Sequence, residues 1–273
     1  HFKKCLMEKL MLENIEKHIL LRDEKNGVCS LTLNRPNKRN ALSRELLNEL
    51  QNAFKDIAAD KTIKVIIISG TGPVFSSGHD LNEIRDDPSY PQMLSLFNQC
   101  SEMMITMKKL PQPIIAKVNG GAMAAGCQLM CNCDLAISTI NSKFALPGSS
   151  IGLFCSSPAV AVGRLASQKH TMEMLLTGEQ FNADDALRFG LINKAVSEEE
   201  LDAVVTTYAD KIIKHSNAVI SIGKSAFYKQ IDMNLESAYA FASEIMAKNM
   251  QEHDAHEGID AFLEKRNPNW RGR

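Results

Sequence analysis

Two glycine-bearing turns hold the residues whose types and spacing could do chemistry. Residues 74–81 read Val-Phe-Ser-Ser-Gly-His-Asp-Leu, and residues 118–128 read Val-Asn-Gly-Gly-Ala-Met-Ala-Ala-Gly-Cys-Gln. Small residues let a ligand approach the backbone closely. A helix opening near Ala125 would also present unpaired N–H groups at the positive end of its dipole. Two such N–H groups converging on one point form an oxyanion hole, which stabilises a carbonyl oxygen gaining charge on the way to an enolate. Either turn alone is most often only a turn, so the weight rests on the pair.

Other reactive side chains form weaker patterns. His79 titrates in the range useful for proton transfer. Asp80 and Glu83 are the acids nearest to it in sequence, with Asp80 expected to cap or brace the loop. Ser149, Ser150, Cys155 and Ser156 form a polar stretch without an evident base, which weakens a nucleophile reading. Cys127 and Cys131 stand one helical turn apart near Cys133, with no histidine beside them. Buried structural thiols are therefore expected there, and no metal.

These turns need elements to position them. Runs of β-branched residues predict strands at Val28–Leu33, 65–69, Ile114–Val118 and 134–138. Between the first two, Ser43 is a plausible N-cap for a helix with Leu46, Leu47, Leu50, Phe54 and Ile57 on one face. Strand, helix, strand in this rhythm gives an α/β core with crossover connections. Further along, Ser157-Pro158 predicts a helix with proline at its first position. Residues 184–189 form a short helix stopped by Gly190. From Glu198 the pattern is helical nearly to the end, with Phe241, Ile245, Ile259 and Phe262 as packing residues.

The bulk properties fit one large α/β domain or two small ones. The 273 residues are 44% hydrophobic and 23% charged, with a formal net charge of -1. That charge argues against a nucleic-acid footprint. No stretch approaches the roughly 18 uninterrupted apolar residues of a membrane span. Seven cysteines, an odd number scattered through apolar segments, fit free thiols in a reducing compartment. The chain opens on His1 rather than methionine, which reads as a removed N-terminus. Residues 1–12 place Lys3, Lys4 and Lys9 among apolar residues, but Glu8 spoils a clean transit-peptide pattern.

Five ordered motifs resemble the enoyl-CoA hydratase/isomerase (crotonase) family. Leu33-Asn34-Arg35-Pro36 with Asn40-Ala41-Leu42 resembles its opening signature. Residues 75–80 look like its first oxyanion loop, and 119–134 like its second. Phe181, Ala183, Ala186, Gly190, Leu191, Ile192 and Val196 match its later helix-turn pattern, and Phe262, Lys265, Arg266 and Pro268 its C-terminal segment. The resemblance covers roughly residues 17–270. Segments 65–69, 72–81, 152–156 and 223–230 look like one mitochondrial branch of the family.

The resemblance implies an α/β fold, the crotonase (ClpP-like) spiral of repeated ββα units with a helical C-terminal trimerisation region. The spiral core would span 17–200 and the helical region 201–273. It implies an acyl-CoA thioester as ligand, with coenzyme A arriving as part of it and no permanently bound cofactor. The backbone N–H groups of His79 and Ala125 would form the oxyanion hole. Lys38 and Arg39 are placed to meet the CoA phosphates, or are simply a solvated basic turn. Ser77 and Leu81 would flank the pantetheine and adenine. Phe262 and Lys265 would close over CoA, from the same or a second subunit, unless Phe262 belongs to the core. A homotrimer or dimer of trimers and a place in mitochondrial-matrix fatty-acid metabolism are also implied.

The departure comes at the chemistry. Family hydratases hold water between two glutamates, and the matching positions here are Gln128 and Gly148. Glutamine exchanges no proton near neutrality and glycine has no side chain. Each such group contributes roughly 10²–10⁴ in rate, so hydratase activity is expected to be weak or absent. Three readings follow. The protein is an isomerase, decarboxylase or thioesterase with a substitute acid/base, a non-catalytic acyl-CoA binder, or a scaffold that keeps only the fold. Restoring both glutamates is expected to raise hydration if the rest of the site is intact.

Overall fold

A computed structural model describes residues 18–272. Residues 1–12, where Glu8 interrupts a transit-peptide pattern, lie outside the described residues. The first strands, β1 (Leu20–Lys25) and β2 (Val28–Leu33), form a hairpin and are followed by helix α1 (Arg44–Ala59). The Ser43 side chain accepts the Leu46 N–H, the capping bond that starts α1. Leu46, Leu47, Leu50, Phe54 and Ile57 are all buried on its inner face.

Three strand pairs then repeat. They are β3 (Val65–Gly70) with β4 (Val74–Ser76), β5 (Ile114–Val118) with β6 (Gly121–Met123), and β7 (Leu135–Thr139) with β8 (Lys143–Ala145). Helices α2 (Leu81–Asp86) and α3 (Tyr90–Lys109) follow the first pair. Helix α4 (Ala125–Asn132) follows the second, and α5 (Ser156–Val162) the third. In each pair the first strand joins one sheet and the second strand joins another. The six-stranded order is β1-β2-β3-β5-β7-β9, where β9 is Lys194–Val196, and the three-stranded order is β4-β6-β8. All pairings except β1–β2 are parallel. This repetition is the expected ββα spiral.

Alternation along the central strands divides the interior into two cores. In β3, Ile66 and Ile68 face a large core shared with α1 and α3, while Val65 joins a second core. Ile115 of β5 and Ile137 of β7 lie in that second core, against Leu201, Val205 and Ala209 of a later helix. A strand buried on both faces has to be apolar at every position, which is why β3 reads Val-Ile-Ile-Ile.

Helices α6 (Gln168–Thr177) and α7 (Ala183–Phe189) precede β9. Beyond it every element is helical: α8 (Glu198–Ile213), α9 (Asn217–Gln230), α10 (Leu235–Asn249) and α11 (His253–Glu264). Helix α7 ends at Gly190, in the left-handed conformation with φ 79°, as its position predicted.

Three expectations need correction. The strand expected at 134–138 starts one residue later, because the Asp134 carboxylate anchors the start of β5 by accepting the Ile114 N–H. Pro158 is the third residue of α5, still within the first turn, where its missing N–H costs nothing. Ile259 and Phe262 are exposed rather than packed, Phe262 at 83%, so the core reading of Phe262 fails within one subunit.

The chain's single tryptophan reports on a C-terminal clasp. Its indole N–H donates to the Lys214 carbonyl (2.7 Å), and the next two backbone N–H groups donate to Asp254 (2.8 Å each). Burial alone would raise the Asp254 carboxyl. The Ser216 hydroxyl, the Arg271 and Gly272 N–H groups and His253 outweigh it, pulling the group from 3.8 down to about 2. A depressed carboxylate stabilises the fold above its unfolded pKa, and that stability is lost as pH falls from about 4 toward 2. The contribution is on the order of 2 kcal/mol. Glu257 is also held near 2, by Arg266 and the Asn269 N–H, so a variant must separate the two. Trp270 fluorescence should show an acid transition in that window, and Asp254→Asn should flatten it. An unchanged transition in the variant would remove Asp254 from this role.

Candidate active site

The two glycine-bearing turns leave the carboxyl ends of β4 and β6, which are parallel neighbours in the small sheet. Residues 77–80 and Ala124 therefore emerge side by side, leading into α2 and α4. Contact between them is close enough to require glycine. A Cβ on Gly126 would lie 2.2 Å from the Ser76 carbonyl oxygen. Gly78, at φ +99°, would place a Cβ 2.9 Å from the Ala124 side chain and 3.2 Å from the Ala125 nitrogen.

Backbone geometry then frees two donors. Leu42 N–H donates to the Gly78 carbonyl (2.7 Å) and Asp80 N–H to the Leu42 carbonyl (3.4 Å). In a parallel bridge of this kind the intervening residue, His79, turns its own N–H to the opposite side. Ala125 is the first residue of α4, where an N–H has no intrahelical acceptor. Among the described residues neither the His79 nor the Ala125 N–H has a hydrogen-bond partner. The residue before Ala125, Ala124, sits at φ 47°, ψ -120°. That conformation costs a non-glycine residue about 1–3 kcal/mol and aims the start of the helix at the first loop.

The opening motif turns out to be the scaffold of this loop. Asn40 is fully buried at φ 51°. Its amide donates to the Thr71 (2.9 Å) and Val74 (2.7 Å) carbonyls, and its side-chain oxygen accepts the Arg35 N–H (2.9 Å). The Ser76 hydroxyl donates to the Asn40 carbonyl (2.9 Å) and the Ser77 N–H to the Arg39 carbonyl (3.0 Å). Arg35 forms an ion pair with Asp80 (2.9 Å), and Asp80 also caps α2 through the Asn82 N–H (3.2 Å). Burial opposes the Asp80 charge, but Arg35 and Asn82 hold its carboxyl below the usual range. Glu83 accepts the Arg44 N–H at the start of α1 (3.0 Å). Both acids nearest the donors are thus committed to structure.

His79 itself is largely enclosed, its ring 5.5 Å edge-on from Phe97. Burial pushes its pKa down to about 4 against a weaker opposing bond to the Leu42 backbone. The ring is neutral at physiological pH and its Nδ1 has no partner among the described residues.

Gln128 lies one turn into α4, only 4% exposed, with its Oε1 unpartnered. Gly148 is buried in the 3-10 turn Pro147–Ile151. The space a side chain would need there is filled. A Cβ would fall 1.9 Å from the Leu153 carbonyl oxygen and 2.8 Å from the Cys155 sulfur. The Leu153 N–H donates to the Gly148 carbonyl (2.9 Å) and the Gly148 N–H to Cys155 Sγ (3.3 Å). Sequence reading found the glycine but not its occupied surroundings. Restoring both glutamates is expected to help only in an otherwise intact site, and a side chain at 148 meets occupied space.

The remaining expected residues separate into two places. Lys38 and Arg39 are exposed beside the Ser77 turn, and among the described residues neither side chain has a partner. Ser77 is half-buried, and Leu81 opens α2 at 55% exposure. Phe262 and Lys265 lie elsewhere, at the end of α11. No hydrogen bond joins them to the two loops among the described residues. Cys127, Cys131 and Cys133 are buried, and the Cys133 thiol donates to the Leu129 carbonyl (3.5 Å).

Comparison with known proteins matches this architecture. A family model described as "Enoyl-CoA hydratase/isomerase" matches residues 23–273. "Enoyl-CoA hydratase domain-containing protein 3, mitochondrial" of Mus musculus is 47% identical over 247 residues, covering 90% of this chain and 82% of the mouse protein. The crystal structure of human enoyl-CoA hydratase domain-containing protein 3 superposes with a TM-score of 0.91 at 43% identity. It covers 93% of this chain and 100% of that one. The enoyl-CoA hydratase of Mycobacterium smegmatis also gives 0.91, at 44% identity over 93% of this chain and 99% of its own. The similarity to the mitochondrial branch noted from segments 65–69, 72–81, 152–156 and 223–230 agrees with these relatives.

Proposed function

Because the chain belongs to the enoyl-CoA hydratase/isomerase family, we propose that it binds acyl-CoA thioesters and has lost most of the hydration chemistry. The observation that carries this reading is the pair of N–H groups, His79 and Ala125, without partners among the described residues, on loops that touch through Gly78. A thioester carbonyl seated there replaces the missing partners of both donors. The α4 dipole adds to the polarisation. The exposed Lys38 and Arg39 stand on the adjoining turn, ready to meet the CoA phosphates. Ser77 and Leu81 border the path between phosphates and carbonyl.

Proton transfer is what the site lacks. The Gln128 amide is neither an acid nor a base near neutral pH, and a Cβ at position 148 meets the Leu153 carbonyl oxygen and the Cys155 sulfur. Burial leaves His79 a weak base, and Asp80 and Glu83 are held by Arg35 and the Arg44 N–H. That favours a binding protein over an enzyme of altered chemistry. Intact donors, in turn, favour a binding protein over a bare scaffold.

Calorimetry with acetyl-, crotonyl- and long-chain acyl-CoA should show binding, and its absence for all three would defeat the reading. Crotonyl-CoA consumption at high protein concentration should fall several orders of magnitude below a two-glutamate hydratase. Turnover at the level of an active hydratase would overturn the loss of chemistry.

The mitochondrion is the proposed location, as the names of the relatives suggest. Assembly as a trimer or a dimer of trimers is proposed from the C-terminal helices. Leu235, Tyr239, Met246, Phe262 and Leu263 are each more than two-thirds exposed there. A groove of about 600 Å³ also opens between α9 and α10, lined by Phe227, Phe241 and Ile245. Such apolar area on one region marks an interface, from which a neighbour could bring Phe262 and Lys265 over bound CoA. Sedimentation showing a monomer at micromolar concentration would exclude this.

A further inference from the structure

We infer that a cavity at the amino end of α9 is a second binding site, built for a compact phosphate ester that carries a hydroxyl. The cavity has a volume of about 200 Å³, and no residue of the loops bearing His79 and Ala125 lines it. Pockets for drug-sized ligands run to roughly 300–1,000 Å³, so this one suits a smaller molecule. The inference is independent of the thioester reading.

Gln112 is the residue that asks for a ligand. It lines the cavity and is 6% exposed, and its Oε1 has no partner among the described residues. The orientation of its amide is fixed, because Nε2 donates to the Ile57 (2.8 Å) and Asp60 (3.2 Å) carbonyls near the end of α1. Turning the amide over would set an oxygen against two oxygens. The free atom is therefore an acceptor, and an occupant has to bring it a donor. A buried acceptor left bare is costly enough that filling it adds to affinity.

The rest of the lining asks for negative charge. Asn217 and Ala218 line the cavity and open α9, and neither N–H has a partner among the described residues. Free N–H groups at the positive end of a helix hold phosphate oxygens. Lys61 and Lys64 line the same cavity and add two ammonium groups. Asp60, the one carboxylate in the lining, turns its Oδ1 to the Thr62 N–H (2.8 Å) and hydroxyl (2.7 Å). A phosphate monoester is close to a dianion at neutral pH, which matches the two lysines but leaves the phosphate few protons to give. The donor to Gln112 then comes from a hydroxyl on the organic part.

Calorimetry should compare glycerol 3-phosphate with propyl phosphate, inorganic phosphate and sulfate. Glycerol 3-phosphate is expected to bind at least about tenfold more tightly than propyl phosphate, the range of one buried hydrogen bond. Lys61→Met combined with Lys64→Met, neither residue being buried, should weaken its binding by at least about tenfold too. Equal affinity for the two esters, or no binding of either, would overturn the inference and leave water as the partner of Gln112. Inorganic phosphate or sulfate binding as tightly as glycerol 3-phosphate would overturn the ester in favour of a simple anion site. Unchanged affinity in the double variant would place the ligand elsewhere, with the Lys38 and Arg39 turn as the first alternative, and would overturn it as well. Acyl-CoA titrations are separate from all of these, so either reading can fail alone. The ligand comparison uses the unmodified protein and decides the role of Gln112 without a variant that disturbs α1.

Discussion

Gly148→Glu should unfold the region around the second loop rather than restore hydration. The Cβ of any residue there meets the Leu153 carbonyl oxygen at 1.9 Å, far inside contact distance, and the Cys155 sulfur at 2.8 Å. The first of these is backbone and cannot rotate away. Relief requires moving the segment from Leu153 to Cys155. That breaks the bond from the Leu153 N–H to the Gly148 carbonyl and the bond from the Gly148 N–H to Cys155. A buried carboxylate without a partner then adds its own desolvation penalty. The sum should reach about 3–5 kcal/mol, in the range of the most disruptive single substitutions. In a chain of this size that lowers the melting temperature by about 10 °C. Gly148→Ala should already account for a large part of the drop, because the clash begins at Cβ. Gln128→Glu alone should fold, yet crotonyl-CoA hydration should gain no more than about tenfold, since one carboxylate cannot serve as both acid and base. A well-folded Gly148→Glu protein with active-hydratase turnover would refute this account of the site.

The contrast between positions 128 and 148 shows what the sequence can convey. Both substitutions are visible by alignment to the family pattern. Only the structure shows that Gln128 keeps its place as a polar side chain while the neighbourhood of Gly148 has closed. The strands Val28–Leu33 and Ile114–Val118 and the Ser43 cap were legible because local composition and side-chain spacing determine them. Strands β4, β6, β8 and β9 were not. Each is three residues long, and its conformation is imposed by a neighbour from another turn of the spiral. Phe262 stayed open between two readings for a different reason. An apolar residue at helical spacing looks the same whether its partner lies in its own core or in another subunit. The role of Asn40 was hidden too, because its three bonds reach across to residues 31 and 34 positions away as well as to Arg35.

Long-range placement matters most at Asp134, where the second large effect is expected. Its Oδ2 accepts the Ile114 N–H (2.7 Å) and the Lys224 ammonium (2.8 Å), and its Oδ1 accepts the Tyr228 hydroxyl (2.8 Å). Lys224 donates further to the Met107 (3.2 Å) and Gln112 (2.9 Å) carbonyls, with its side chain 5% exposed. Lys108 donates to the same Tyr228 hydroxyl (3.1 Å). Burial pulls the Lys224 pKa down and the Asp134 charge opposes it, so the ammonium depends on this one carboxylate. The cluster pins α9, and with it the helical C-terminal region, to β5 and to the residues just after α4. Asp134→Ala would strand a buried ammonium and leave the Tyr228 hydroxyl and Ile114 N–H short of acceptors. Removing one member of a buried pair costs about 3–5 kcal/mol, whereas replacing both members by apolar groups costs much less. Chemical denaturation should therefore place Asp134→Ala well below Asp134→Leu combined with Lys224→Met. Because Asp134 follows α4 by two residues, the single variant should also weaken acyl-CoA binding, as the helix bearing the Ala125 donor loses its anchor. Additive losses in the double variant would mean that the pair is not coupled and that α9 is held by its apolar contacts alone.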